Sequence, residues 1–447
     1  MTFEDLNLTN PLRNAIADLG YIAPTAIQEK VFSVVMSGKD VCGIAQTGTG
    51  KTFAYLLPSI RQIQFAKDRL PQLLIIVPTR ELVVQVVEEV KKLTRYMTLQ
   101  VVGVYGGGNI KLQMAELNAG ADIVVGTPGR FVDLVMNTSL KTKSIKRLVI
   151  DEVDEMLNLG FRAQLKNILD IIPQKRQNLL FSATLTSEVE DLMETYFYSP
   201  VRVEAAPVGT PLENIEQRLY HLPNFQTKVN LVHQLLSEND DMSKVLVFVS
   251  TKALADLVYN ELDQHYPEKV GVIHSNKEQN HRFNSVQQFH NGTYRVLIAT
   301  DIIARGLDVA EVSHVINFDL PEIAENYIHR IGRTGRADRK GVALTFVTES
   351  DEEVLDTIQT LMNYEVPVVE NPEDLLISDI QMEFEKPKIF MKSIDIKLPK
   401  PDTVGAAFHE KLAKNSKVNV RRNYAKEKAL KYGRPIKKAG PKPGRKK

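Results

Sequence analysis

The chain has no tryptophan, and it has a single cysteine among its 447 residues. One cysteine excludes an intramolecular disulfide framework and suits a reducing compartment. Cys42 lies in the apolar run Val41–Ile44, where it is expected to pack as a small core residue. Long hydrophobic stretches are missing too. Runs such as Leu73–Val77 fall far short of the ~20 residues that a membrane-crossing helix needs. The N-terminus, Met1-Thr2-Phe3-Glu4-Asp5, is acidic and lacks a secretory pattern. A cytoplasmic protein with no membrane partner is expected. Net charge is almost absent as well, at +1, but it is unevenly spread. Residues 411–447 hold 15 Lys and Arg and one acid, Glu427, a charge of +14, while the rest of the chain carries −13. A basic arm on an acidic body fits a polyanionic partner, and a solubilising tail is the competing interpretation.

Two short segments carry chemistry. Ala45-Gln46-Thr47-Gly48-Thr49-Gly50-Lys51-Thr52 follows the apolar run Val41–Ile44 and precedes a helical stretch, Phe53–Ile60. That is the strand–loop–helix setting of a phosphate loop. Gly48 and Gly50 let backbone N–H groups turn toward phosphates, and the helix N-terminus adds its positive dipole end. Lys51 is then expected at the β- and γ-phosphates, and the Thr52 hydroxyl on Mg²⁺. The general pattern begins with Gly, and Ala45 stands there instead. The second segment, Asp151-Glu152-Val153-Asp154, leaves the apolar run Arg147–Ile150. Carboxylates at the C-terminal end of a parallel strand lie where ligands bind in open α/β sheets. Asp151 suits Mg²⁺, and Glu152 suits polarising an attacking water. Together the segments predict hydrolysis of a nucleoside triphosphate.

Apolar runs alternate with helical stretches from about residue 40 to 200: Leu73–Val77, Gln100–Tyr105, Asp122–Val125, Arg147–Ile150 and Asn178–Phe181. This rhythm predicts βα units and a parallel sheet. It breaks at Val203–Asn214, which contains two prolines and several small residues. A second series follows, with strands at Lys244–Val249, Val270–Ile273, Arg295–Ala299, His314–Phe318 and Val342–Val347. Helices are expected between them at Thr251–His265 and Glu278–His290. No Gly-Lys-Thr loop occurs in this half. The fold class is therefore α/β, with two doubly wound parallel-sheet domains and a nucleotide site in the cleft between them. The expected divisions are 1–205, a linker at 206–214, 215–365, and a flexible basic C-terminal extension at 366–447. Gly433–Lys447 reads as disordered.

Across residues 3–350 the ordered motifs resemble the DEAD-box ATP-dependent RNA helicases, and within them the bacterial RhlE-like group. Gly20-Tyr21 and Pro24-Thr25-Ala26-Ile27-Gln28 are similar to the Q motif, with Phe3 as the aromatic upstream. The resemblance implies RecA-like domains, ATP with Mg²⁺, and Gln28 reading the adenine edge beside Phe3 and Tyr21. It assigns RNA-backbone contacts to Pro78-Thr79-Arg80, Gly106-Gly107 and Thr127-Pro128-Gly129-Arg130, and to Gln279, Arg282 and Thr300. Asp308 is implied at the ribose, and Arg333 and Arg336 as arginine fingers in His329-Arg330-Ile331-Gly332-Arg333-Thr334-Gly335-Arg336. Asp154, Ser182, Thr184 and His329 are implied to couple hydrolysis to strand separation. Departures are Val153 for Ala, His274-Ser275 for His-Gly, and Asp338 for Gly. The resemblance implies an RNA-dependent ATPase, expected as a monomer, that locally separates duplexes with little sequence preference. An ATP-gated RNA clamp and a DNA helicase are the rival functions. Protein partners are not legible.

Overall fold

The computed structural model describes residues 2–45, 49–137, 139–204, 214–301, 312–335, 340–386 and 424–433, with Gln279 described in its backbone only. Two sheets, each parallel throughout, organise residues 2–386. The first contains β1 (Val41–Ile44), β2 (Leu73–Ile76), β3 (Val101–Val104), β4 (Ile123–Gly126), β5 (Arg147–Ile150), β6 (Gln177–Ser182) and β7 (Val201–Glu204). Their order is β3-β4-β2-β5-β6-β1-β7. The second contains β8 (Ile215–His221), β9 (Val245–Val249), β10 (Val270–Ile273), β11 (Val296–Thr300), β12 (His314–Asn317) and β13 (Gly341–Val347), in the order β10-β11-β9-β12-β13-β8.

The central strands are apolar on both faces because helices cover both faces. Val41, Leu73 and Ile75 feed one core of the first sheet, while Cys42, Ile44, Leu74 and Ile76 feed the other. Cys42 is fully buried there, and burial pushes its thiol up to about 11, so it is an inert core residue. In the second sheet Val245, Val247 and Val249 face one core, and Leu246 and Phe248 the other.

Two strands lack the apolar run that marks the rest. β7 and β8 each lie at one edge of their sheet, and their side chains alternate between burial and exposure. Val203 and Glu204 thus belong to β7 rather than to a linker. Residues 205–213 lie outside the described residues.

The chain beyond 365 also departs from the expected flexible extension. Leu219 donates its N–H to the Pro367 carbonyl, and Val369 donates to the Leu219 carbonyl, which covers the outer edge of β8. The segment then crosses the helix Phe225–Glu238. Ser378 N–H donates to Thr227 Oγ1 at 3.1 Å, and Phe225 N–H donates to Glu385 Oε1 at 2.5 Å. Phe384 packs edge-on against Phe225 at 5.7 Å, and Leu375 is buried. Residues 366–386 are therefore part of the second domain's shell. Residues 387–447 form a separate unit. Its described portion is a solvent-exposed helix, Tyr424–Tyr432, an ordered element within the extension. The expectation of disorder at Gly433–Lys447 lies almost wholly outside the described residues.

Candidate nucleotide and RNA site

Register brings the chemistry together. Ile44, at the end of β1, pairs with Ser182 at the end of β6, and Ile150, at the end of β5, pairs with Leu180. Three loops therefore leave the same sheet edge side by side: the phosphate loop, Asp151–Asp154 and Ser182–Thr184. Ala45 is buried and donates its N–H to the Ser182 carbonyl at 3.0 Å. Gln46, Thr47 and Gly48 lie outside the described residues. Thr49 and Gly50 are half-buried before the helix Lys51–Arg61, which includes Thr52. Gly50 has φ +91, and a Cβ there would run into the Gln28 carboxamide. Glycine is required at that point on both counts.

Lys51 is buried, and its Nζ has no hydrogen-bond partner. It faces three carboxylates, of which Asp151 and Asp154 are buried and Glu152 is half-buried. Burial raises Asp151 against the pull of Lys51, and burial pushes Glu152 up to about 8, again against Lys51. Glu152 occupies the left-handed backbone region, φ 54 and ψ 48, between β5 and the helix Val153–Asn158. Such a conformation costs a non-glycine residue ~1 kcal/mol or more and is concentrated at functional sites. Burial opposes ionisation of Asp154, but His329, Lys51 and bonds from Thr184 outweigh it and hold the carboxyl below its usual range. Its Oδ2 accepts from Ala183 N–H at 3.1 Å, and from Thr184 N–H and Oγ1 at 2.9 Å each. Ser182 Oγ donates to the Thr184 carbonyl at 2.6 Å. Val153 is fully buried in the core below, so the β-branched residue is accommodated.

The second domain completes the cavity. His329 and Arg333 line it together with Lys51, Glu152, Asp154, Glu155 and Ala183, and its volume is about 10 Å³, the size of one water. Arg333 is buried, and its charge pulls on Glu152. Arg336 and Asp308 lie outside the described residues. Arg330, three residues before Arg333, does something different. It grips both carboxylate oxygens of Asp301, at 2.5 and 2.8 Å, and the Asp319 carbonyl at 2.5 Å. It is a structural arginine that the motif alone does not separate from its neighbours.

Gln28 is also built into the protein. Its Nε2 donates to the Gly50 carbonyl at 3.1 Å, and its Oε1 accepts Thr25 N–H at 3.1 Å. A carboxamide has two N–H groups and two acceptor sites, so one of each remains for a base edge. Phe3 is buried in the first domain's core. Tyr21 is half-exposed and stands edge-on to Phe53 at 5.3 Å.

The remaining candidates lie along the ends of both sheets. Pro78 is buried, and Thr79 caps the helix Arg80–Leu93 through Leu82 N–H. Nothing stands within 4 Å of a Cβ placed on Gly106 or Gly129, so the backbone there is open to a close ligand, and Gly107 (φ +77) turns the chain between them. Thr127 precedes Pro128 at a helix N-terminus and makes no side-chain capping bond. Arg130 spends its fork internally, on the Gly108 carbonyl at 3.2–3.3 Å and Gln113 Oε1 at 2.8 Å. In the second domain Gln279 begins the helix Gln279–His290, and Arg282 Nη1 lies 3.6 Å from Glu81 Oε1 of the first domain. Thr300 ends β11 and lines a groove of about 600 Å³ with Thr251, Lys252, Asp301 and the first domain's Asn158 and Leu159. Thr251, Lys252 and Asn158 belong to no marked motif, and only the structure places them at this groove.

The DEAD/DEAH box helicase family model matches residues 25–192, and the helicase conserved C-terminal domain model matches residues 227–338. The RNA helicase CrhR of a Synechocystis strain is 40% identical over 371 residues, covering 83% of this chain and 75% of CrhR. Saccharomyces cerevisiae Dbp5 bound to RNA and ADP BeF3 superposes with a TM-score of 0.74 at 29% identity, over 82% of this chain and 95% of that one. A DEAD box protein from Methanococcus jannaschii, at 34% identity over 83% of this chain and 99% of that one, reaches 0.51. The chain belongs to the DEAD-box RNA helicase family.

Proposed function

We propose that the chain is an RNA-stimulated ATPase that locally unwinds RNA duplexes or remodels RNA–protein complexes by closing its two domains on single-stranded RNA. One observation carries the nucleotide assignment: a buried ammonium, Lys51 Nζ, with no hydrogen-bond partner, in a cavity that the other domain's Arg333 also lines. A buried donor left without an acceptor is costly, and β- and γ-phosphate oxygens would supply one. Gln28 uses its spare donor and acceptor on adenine, with Phe3 and Tyr21 shaping that end, and Asp308 takes the ribose. Residues 45–52 cradle the phosphates. Glu152 polarises the attacking water, and Arg333 and Arg336 meet charge that develops at the γ-phosphate.

The donors fit Mg²⁺, which takes oxygen ligands and needs only one or two carboxylates beside phosphates. Thr52 and Asp151 would hold it, and when bound it would neutralise charge on the phosphates. Among the described residues no group of three or more ligating side chains forms a closed metal cage, and this mode of binding requires none.

RNA is the partner. Thr79, Arg80, Gly106, Gly107, Thr127, Gly129, Arg282 and Thr300 take backbone phosphates or sugars, which gives little sequence preference. Pro78 and Pro128 fix the turns, Gln279 extends the grip, and Arg130 acts by holding the Gly106–Gly108 turn. Asp154, Ser182, Thr184 and His329 form the coupling network. Within the family we assign the chain to the bacterial RhlE-like group on its motif resemblance, as a cytoplasmic monomer. No described helix is long and apolar enough to cross a membrane. The basic arm tethers structured RNA nonspecifically.

Strand displacement tests the reading. ATP-dependent release of a short RNA duplex is expected. RNA-stimulated hydrolysis without release would make the protein an ATP-gated clamp instead.

A further inference from the structure

The helix Gln279–His290 uses one aromatic residue for its own domain and spares another. Phe289 is buried in the second domain's core, with Val286 packed against it. Phe283 belongs to none of the described core clusters of its own domain. Six residues apart on a helix, the two rings lie about 120° from each other. Phe283 is half-buried all the same, and what lies against it is Arg80 of the first domain, whose guanidinium carbon is 5.3 Å from the Phe283 ring centroid. Tyr105, also of the first domain, holds the same guanidinium at 4.5 Å. Tyr105 is itself fixed, because Gln113 accepts its N–H at 3.3 Å and donates to its carbonyl at 3.2 Å. Arg80 Nε is buried with no hydrogen-bond partner, so the contacts that hold this end of the side chain are with aromatic rings. Beside it, Arg282 and Glu81 form the neighbouring cross-domain pair, with side chains 15% and 9% exposed.

We infer that Phe283 is a positioning residue for closure: a latch that stacks on Arg80 only when the two domains meet. The inference rests on the proposed ATP-driven closure on RNA. A contact present in one of two conformations shifts the equilibrium by its own free energy. A cation–π contact of ~0.5–1 kcal/mol when exposed, or ~2 when desolvated, corresponds to about a 2- to 30-fold bias toward the closed state. Phe283 also sets where the Arg80 guanidinium lies beside the proposed RNA path.

The test uses full-length protein, a fluorescent single-stranded RNA and a nonhydrolysable ATP analogue. In the unaltered protein the analogue should tighten RNA binding. Loss of that tightening would refute the closure reading itself, whatever Phe283 does. Phe283→Ala should weaken RNA binding with the analogue by about 2- to 30-fold and leave binding without nucleotide unchanged. Phe283→Tyr should restore it, and Phe283→Leu should not. Under turnover the KM for RNA should rise while kcat at saturating RNA stays near the original. In an Arg80→Ala background Phe283→Ala should have no further effect. Equal weakening with and without the analogue would make Phe283 a plain RNA contact and overturn the inference. So would unchanged affinity in Phe283→Ala, or full rescue by Leu.

Discussion

Replacing Arg330 separates a structural arginine from the reactive ones three and six residues later. Its side chain is 2% exposed and is held by Asp301, Asp319 and Asn317, with its guanidinium 5.1 Å from the Phe248 ring centroid. Arg330→Ala leaves the Asp301 carboxylate without that countercharge and opens space at the C-terminal ends of β11, β9 and β12. Breaking a buried pair from one side costs about 3–5 kcal/mol. Asp301 remains 21% exposed and keeps some water, so the lower part of that range applies. For a domain of about 170 residues each kcal/mol moves the midpoint by ~2–4 °C, and a fall of ~6–12 °C is expected in the second domain's transition. Scanning calorimetry of full-length protein reads it. Arg330→Lys keeps the charge but cannot present a two-pronged fork, so it should fall between the two. Arg333→Ala should leave the transition in place. An unmoved midpoint in Arg330→Ala would refute the structural assignment.

Lys51→Ala removes the buried cation of the phosphate loop, and ATPase activity should drop to near background while circular dichroism stays that of the folded protein. Arg333→Ala and Arg336→Ala should each slow turnover by up to ~10³–10⁵-fold, measured as phosphate release, while most ATP affinity survives. Truncation after Ala406 should weaken RNA binding and flatten its dependence on log salt by about 0.7 for each phosphate that the arm neutralises. Equal slopes would make the arm a solubility tail.

The candidates that the structure brings to one sheet edge were legible because the proposed chemistry needs particular residue types at fixed spacing. Lys51 and Thr52 must follow a glycine turn, and Asp151 and Glu152 must follow a strand. The central strands were legible for the same kind of reason: β1, β2 and β5 are buried on both faces and read as unbroken apolar runs. β7 and β8 were not, because each places charged residues, such as Arg202 and Glu216, at exposed positions that interrupt the apolar run. The docking of residues 366–386 was hidden because scattered side chains such as Leu375 and Phe384, and backbone bonds to β8, hold it rather than any periodic face. The roles of Arg330 and Arg130 were invisible for another reason. A guanidinium bound to Asp301 or to the Gly108 carbonyl is spelled with the same letter as one awaiting phosphate.

The most direct test of ATP-driven closure on RNA is the RNA affinity of Glu152→Gln, measured with and without ATP. The substitution keeps the size of the side chain and removes the carboxyl group that would accept a proton from the attacking water, so hydrolysis should slow strongly while ATP still binds. The closed complex should then persist, and RNA should bind more tightly with ATP than without. Equal affinities under the two conditions would contradict the account.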